Sequence, residues 1–527
     1  MAEWPPWLQP LKQALRGAAE AEVALVETHI SWVLLAGEYA YKIKKPVDFG
    51  FLDFSTLALR RRYCLEEVRL NRRLAADLYV GVSAITGAPD APSVDGPGPV
   101  LEYAVKLKRF DEACLAERLI GEGRLVARHL DALARELAAF HGLAARATAG
   151  DSHGLPKTIL AAAEHNFEQL LRLPGAAAKK QARLASLQSW TRAECRRLRE
   201  AFAARKAAGF VRECHGDLHC GNLVLIDGRL VPFDCIEFSE DLRWIDCLSE
   251  LAFLCMDIEV RGRGDLAWRL LNRYLEITGD YAGVTLLDFY RVYRALVRAK
   301  VVGLSLAQAT DAQLRSDREA WCLRYLEYAE RVARPRVPVL LITRGFSGSG
   351  KSRLAYALAE RLPAVRIASD IERKRLAGLD PLARSGAAVC GGIYTPAMSR
   401  QTYAVLLGHA QRLLREGHNV LLDATYLRAA DRDECRALAD RLGARFFILD
   451  LHAPEALLRE RLAQRLARGG DPSEANQAVL AQQIAEAEDL GRREAPFVLS
   501  LNTALGPNLD EVLRAVGPAA SGNLQTS

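Results

Sequence analysis

Residues 214–222 read CHGDLHCGN, and five of their side chains could do chemistry: Cys214, His215, Asp217, His219 and Asn222. Three chemistries compete for them. A zinc site would draw on Cys214, His215, His219 and Cys220, but four ligands from seven consecutive residues close a tetrahedron awkwardly. A thiol nucleophile needs a base and an orienting partner, and nothing beside Cys214 or Cys220 supplies them. The third reading is His-x-Asp-x-x-x-x-Asn. That spacing lets one loop hold a general base, Asp217, and a magnesium ligand, Asn222, for phosphoryl transfer. The residues that follow support it: Asp227-Gly228 is a hairpin turn signal, and the returning strand VPFD brings Asp234 to its end as a second carboxylate for Mg²⁺.

A second constellation lies far downstream. Residues 345–352, GFSGSGKS, match G-x-x-x-x-G-K-[ST] in full, leaving an apolar strand and entering a helical pattern. Gly345, Ser347, Gly348, Ser349 and Gly350 belong to a loop whose backbone N–H groups can turn inward on phosphate. Lys351 can reach the β- and γ-phosphates of ATP, and the Ser352 hydroxyl can bind Mg²⁺. Asp423 ends the strand pattern NVLLD, where a carboxylate serves the metal or its water. Asp370 ends VRIASD and is expected either to handle an acceptor hydroxyl or simply to cap the next helix. Arg461, Arg465 and Arg468 fall on one helix face ahead of GGDPSEA, the pattern of an arginine-bearing lid over the phosphates.

These residues need two different scaffolds. Strand-like alternation over 24–47, a helical pattern over 58–78, strands near 81–86 and 101–110, and helices thereafter describe an α+β domain. The basic run 178–207 reads as one long helix. A Pro/Arg-rich stretch at 333–338 marks a change of rhythm. Beyond it strand and helix alternate, the pattern of a doubly wound parallel α/β sheet. The expected domains are 1–334, 335–510 and a disordered tail over 511–527.

Composition narrows the function without naming it. A chain of 527 residues exceeds one core. A net charge of +6 is too mild to demand nucleic acid or a membrane. The eleven scattered cysteines suit reduced thiols and a cytoplasmic location, and neither a secretory leader nor a membrane span is expected.

With these motifs on the page, a resemblance becomes visible. HGDLHCGNLVLIDGRLVPFDCIEF resembles the catalytic loop of the aminoglycoside phosphotransferase family, which has a protein-kinase-like fold. That resemblance implies a phosphate-pairing strand lysine in EYAYKIKK, Lys42 ahead of Lys44, and a helix glutamate in EEVRLN, Glu67 ahead of Glu66. It also draws in Asp246 of DLRWIDCLSELA, read as a structural carboxylate tying the loop down. The chain departs from the kinase pattern at ETHISWVLLAG, which has one glycine where a glycine-rich loop would stand. Its helical part is basic, unsuited to a polycationic drug. Residues 337–500 resemble P-loop small-molecule and polynucleotide kinases, and the domain order resembles bacterial two-domain proteins joining both folds.

The expectation is therefore an ATP-dependent phosphotransferase with two ATP·Mg²⁺ sites acting on hydroxyl groups of small molecules. Three alternatives stand beside it: a P-loop kinase governed by a non-catalytic kinase-like sensor, an ATPase switch without acceptor, and a polynucleotide 5′-kinase.

Overall fold

The computed structural model describes residues 4–517, apart from 20–21, 51, 174–177, 307–310, 381–391, 469–475, 505 and 507–508. Two compact units emerge: residues 1–165 with 195–261, and residues 166–194 with 262–527. The Pro/Arg stretch at 333–338 lies inside the second.

The first unit begins with α1 (Leu8–Ala19), then strands β1 (Ala24–Glu27), β2 (Ser31–Ala36) and β3 (Tyr39–Lys44). Helix α2 (Leu57–Ala75) precedes β4 (Tyr79–Ala88), β5 (Ala91–Val94) and β6 (Val100–Lys108). The six strands form one antiparallel sheet in the order β1-β2-β3-β6-β4-β5. Because side chains alternate along a strand, β3 sends Tyr41 and Ile43 to a core shared with Leu8, Leu11 and Leu15 of α1. Ala40 goes to the opposite face, where Cys64 and Val68 of α2 pack. Lys42 and Lys44 share Ala40's parity, so they meet α2. Thr56 caps that helix, its hydroxyl accepting from Leu59 N at 3.2 Å.

In chain order helices α3 (Ala116–Gly121), α4 (Ala127–Leu143), α5 (Pro156–Arg172), α6 (Ala178–Arg197) and α7 (Arg199–Ala207) follow, the end of α5 and most of α6 belonging to the second unit. The basic run expected as one helix is thus two, interrupted at Leu198. Then come β7 (Val211–Glu213), the hairpin β8 (Leu223–Ile226) and β9 (Arg229–Pro232), α8 (Glu240–Arg243), β10 (Trp244–Asp246) and α9 (Cys247–Val260). The hairpin turns on Asp227 and Gly228, with φ of 49° and 77°. Both lie in the left-handed region, as a type I′ turn requires.

The second unit contains α10 (Gly264–Thr278), α11 (Leu287–Ser305) and α12 (Ala312–Ala333) ahead of the α/β segment. That segment runs β11 (Val339–Arg344), α13 (Lys351–Arg361), β12 (Ala364–Ala368), α14 (Ser369–Leu376), α15 (Pro396–Arg415), β13 (Asn419–Asp423), α16 (Ala429–Leu442), β14 (Arg445–His452), α17 (Glu455–Arg468), α18 (Gln477–Glu486), β15 (Val498–Asn502) and α19 (Leu509–Val516). Its five strands are all parallel, in the order β12-β13-β11-β14-β15. Strand order reverses around β11, so the loop after it opens at the carboxyl edge, where ligands of such sheets bind. Strand β15 escaped the sequence reading. So did α19: the tail expected to be disordered from 511 starts as a helix, with Val512 and Val516 fully buried in the sheet's core. Among the described residues no helix is long and apolar enough to cross a membrane.

Candidate active sites

In the first unit the sequence-predicted residues converge. Lys42 Nζ lies 2.9 Å from Glu67 Oε1 and also pairs with Asp234. Lys44, the runner-up, is fully buried and reaches the same glutamate, 2.6 Å from Oε2, while pairing with Glu237. Glu67 therefore bridges two lysines. Burial alone would raise its pKa, but the two ammonium groups outweigh it and hold the carboxyl down at about 2. Burial would likewise lower Lys42, yet Asp234 and Glu67 push it well up. Glu66 faces elsewhere, toward Arg69 at 2.7 Å and Arg243 at 3.2 Å.

Asp217 and Asn222 sit side by side: Asn222 Nδ2 donates to Asp217 Oδ2 at 3.1 Å and to its carbonyl at 3.0 Å. His219 Nε2 is 3.5 Å from the same carboxylate oxygen, and its Nδ1 accepts from Gly221 N at 3.0 Å. Asp234 follows the hairpin with φ of 64°, an unusual value outside glycine. Its backbone N–H donates to the Tyr79 hydroxyl at 3.1 Å. A separate cleft of about 890 Å³ lies where β3 begins and β6 ends, lined by Leu35, Tyr39, Lys108, Phe110, Asp111 and Arg118 among others. Among the described residues its lining contains neither Lys42 nor Asp217.

The loop is held from beneath by a residue the sequence reading passed over. Glu250 Oε2 accepts from the backbone N–H groups of His215 and Gly216 at 2.7 and 2.8 Å, and His141 Nε2 meets its other oxygen at 2.9 Å. Asp246, expected to tie the loop down, instead pairs with Arg205 at 2.6 Å and caps α9 through Leu248 N. The loop-tying carboxylate stands four residues further on. His215 Nε2 bonds the Phe233 carbonyl at 2.9 Å, fastening the loop to the hairpin strand. Burial holds His215 below the usual histidine range. The zinc alternative fails on geometry. The His/Cys/Asp/Glu group with ligand-like spacing among the described residues is His141, Cys214 and Cys247, which omits His215, His219 and Cys220.

In the second unit a cavity of about 920 Å³ gathers Ser347, Gly348, Gly350, Lys351, Ser352, Asp370, Asp423, Arg461 and Arg465. Gly345 turns the loop with φ of 144°, and a Cβ there would come within 2.4 Å of the Leu451 carbonyl, so only glycine fits. Lys351 Nζ donates to Phe346 O at 2.8 Å, across its own loop. Burial, reinforced by Arg465, pulls the Lys351 ammonium down to about 8 against Asp423 and Asp370. The Ser349 hydroxyl is buried with no hydrogen-bond partner among the described residues. Such orphaned polar atoms suit a loop built for a polar ligand. Gln483 of α18 accepts from Ser347 N at 2.8 Å, a contact the sequence did not announce.

Asp423 ends β13 as expected, but Arg366 of β12 claims it at 3.1 Å from Nε and again from Nη2. Glu276 of α10 pairs with the same guanidinium. Asp370 is not the cap of its helix. It lies in the first turn of α14, lines the cavity, and pairs with Arg373 at 3.1 Å. Arg461 departs from the lid reading. It is fastened to the body of the unit, donating to Thr503 O at 2.7 Å and to Gly348 O at 3.4 Å. The side chain of Arg468 and the turn-rich 469–475 lie outside the described residues.

Two stretches of the chain match known families. Residues 57–287 match the phosphotransferase enzyme family, and residues 340–490 match an AAA domain. An uncharacterised protein of Mycobacterium tuberculosis is 32% identical over 471 residues, spanning 88% of this chain and 90% of its own. The chain belongs to this two-domain phosphotransferase/P-loop family. A gluconokinase from Sinorhizobium meliloti 1021 is 22% identical over 34% of the chain and 90% of its own, with a TM-score of 0.24. A choline/ethanolamine kinase family protein from Mesorhizobium loti is 12% identical over 61% and 98%, with a TM-score of 0.36. The general chemistry of the family's two domains is ATP-dependent phosphoryl transfer.

Proposed function

We propose that the chain is an ATP-dependent phosphotransferase with two ATP·Mg²⁺ sites, each passing a γ-phosphoryl to a hydroxyl of a small molecule. The observation that carries the first site is Lys42 held between Glu67 at 2.9 Å and Asp234. That arrangement presets a cation for phosphate beside a carboxylate for metal. Asn222 and Asp234 would hold Mg²⁺, and Asp217 would accept the acceptor's proton. In the second site, Gly345 to Gly350 would cradle the phosphates, with Lys351 on the terminal ones, Ser352 on the metal and Asp423 on its water. Asp370 would receive the acceptor, and Arg465 would face the phosphates. Bound Mg²⁺ would supply charge neutralisation on the phosphate oxygens.

The test is γ-labelled ATP incubated with fractionated small metabolites, comparing wild type, Asp217→Asn and Lys351→Ala. Two labelled products, each lost in one variant, support two sites. Loss of every product in Lys351→Ala alone would favour a second reading, in which the first unit binds ligand and regulates. The motive for that reading is Thr28-His29-Ile30 linking β1 to β2, where a kinase carries a glycine-rich cover.

A further inference from the structure

We infer that the P-loop site takes an acceptor carrying its own anionic group, a carboxylate or a phosphate, beside the hydroxyl that is phosphorylated. This rests on the reading of that cavity as an ATP site and adds the chemistry of its second substrate. Eight basic side chains line the cavity against five acidic ones. Lys351, Arg461 and Arg465 belong with the phosphate loop, and Arg366 is consumed by Asp423 and Glu276. Four further arginines line the same cavity: Arg353 in the first turn of α13, and Arg373, Arg400 and Arg428 with Asp370.

Arg373 is the built element of this subsite. It is only 8% exposed, rests over the Tyr394 ring at 4.9 Å, and gives Nη1 to Asp370 at 3.1 Å. Its buried Nε–H has no hydrogen-bond partner among the described residues. A buried guanidinium with an unmade bond is costly unless a ligand completes it. Arg400 and Arg428 are exposed; Arg428 acts on Asp431, drawing down a carboxyl that burial pushes up, and neither arginine has an ion pair within 4 Å among the described residues. Cationic forks converging on one cavity are the recognition chemistry of carboxylate and phosphate. Asp370, fixed by Arg373, then stands where a neighbouring hydroxyl would be deprotonated. At about 920 Å³ the cavity suits a nucleotide with a small acceptor better than a polymer.

The experiment uses the full chain carrying Asp217→Asn, which silences the first site. Label transfer from γ-labelled ATP is followed to hydroxycarboxylates, sugar phosphates, neutral polyols of matched size, and a 5′-hydroxyl oligonucleotide. Transfer to the first or second group is expected. Arg400→Gln and Arg428→Gln should raise the acceptor KM about tenfold with a smaller change in kcat, the cost of one charged hydrogen bond. The first two groups separate a carboxylate from a phosphate requirement. Transfer to polyols as good as to anions, transfer only to the oligonucleotide, an unchanged acceptor KM in both variants, or MgATP binding with no anionic acceptor labelled would each overturn the inference. Loss of the parent reading looks different: no Lys351-dependent ATP binding at all.

Discussion

Arg366 grips Asp423 by a single oxygen. Two of its guanidinium nitrogens, Nε at 3.1 Å and Nη2, fall on Oδ2, and Oδ1 makes no bond among the described residues. The carboxylate, which lines the cavity, is thus oriented by a buried cation through one of its oxygens. Glu276 balances the guanidinium from α10, a helix outside the matched AAA domain and within the span of the phosphotransferase match.

Glu276→Gln should destabilise the second unit by about 3 kcal/mol, the low end for breaking a buried ion pair because Arg366 keeps Asp423. Denaturant unfolding of the full chain measures it. A fragment of residues 335–527 should fare worse. It lacks Glu276 and also Asn272, which bonds Ala364 O at 2.9 Å and Arg366 N at 2.7 Å and so pairs the edge strand β12. Wild-type stability in that fragment would remove the role assigned to α10.

ATP affinity at the P-loop should fall above pH 8. Lys351 is held down at about 8, chiefly by burial, and phosphate contacts favour its charged form. Below that pH the ammonium is already present; above it, binding must take up a proton. Calorimetry in buffers of different ionisation enthalpy should show fractional proton uptake near pH 8, and Lys351→Ala should abolish both uptake and tight binding. Pure proton release on binding would contradict the assignment.

Asp217→Asn and Asp234→Asn should part company in the first unit. The former keeps the shape of the Asn222 contact but removes a base, so turnover should drop by roughly 10²–10⁴ with MgATP affinity little changed. The latter removes a charge that also pairs Lys42, so magnesium-dependent nucleotide affinity should fall with turnover. Nucleotide titrations with and without Mg²⁺ distinguish the two, and equal loss of binding would erase the division of roles.

Acid should loosen the first unit through Glu67. Its folded pKa is depressed to about 2 by Lys42 and Lys44 against burial. The stabilisation is therefore complete above the ordinary glutamate range and is lost as pH falls toward about 2. Glu67→Gln should flatten that part of the stability–pH curve; an unchanged slope would place the acid sensitivity elsewhere.

The sequence by itself determined what depends on local spacing. GFSGSGKS between strand and helix marks the phosphate loop because backbone turning and helix entry are short-range properties. His-x-Asp-x-x-x-x-Asn with an Asp-Gly hairpin places Asp217, Asn222 and Asp234 for the same reason, and strand parity sends Lys42 and Lys44 to the face of α2. Only the tertiary structure decided which distant groups complete those motifs. Glu250 beneath the His215–Asn222 loop, Glu276 behind Arg366, Gln483 on Ser347 and the pinning of Arg461 to Thr503 join residues remote in the chain. A buried charge takes its partner from whatever the fold brings within about 3 Å, and no local pattern encodes that neighbour.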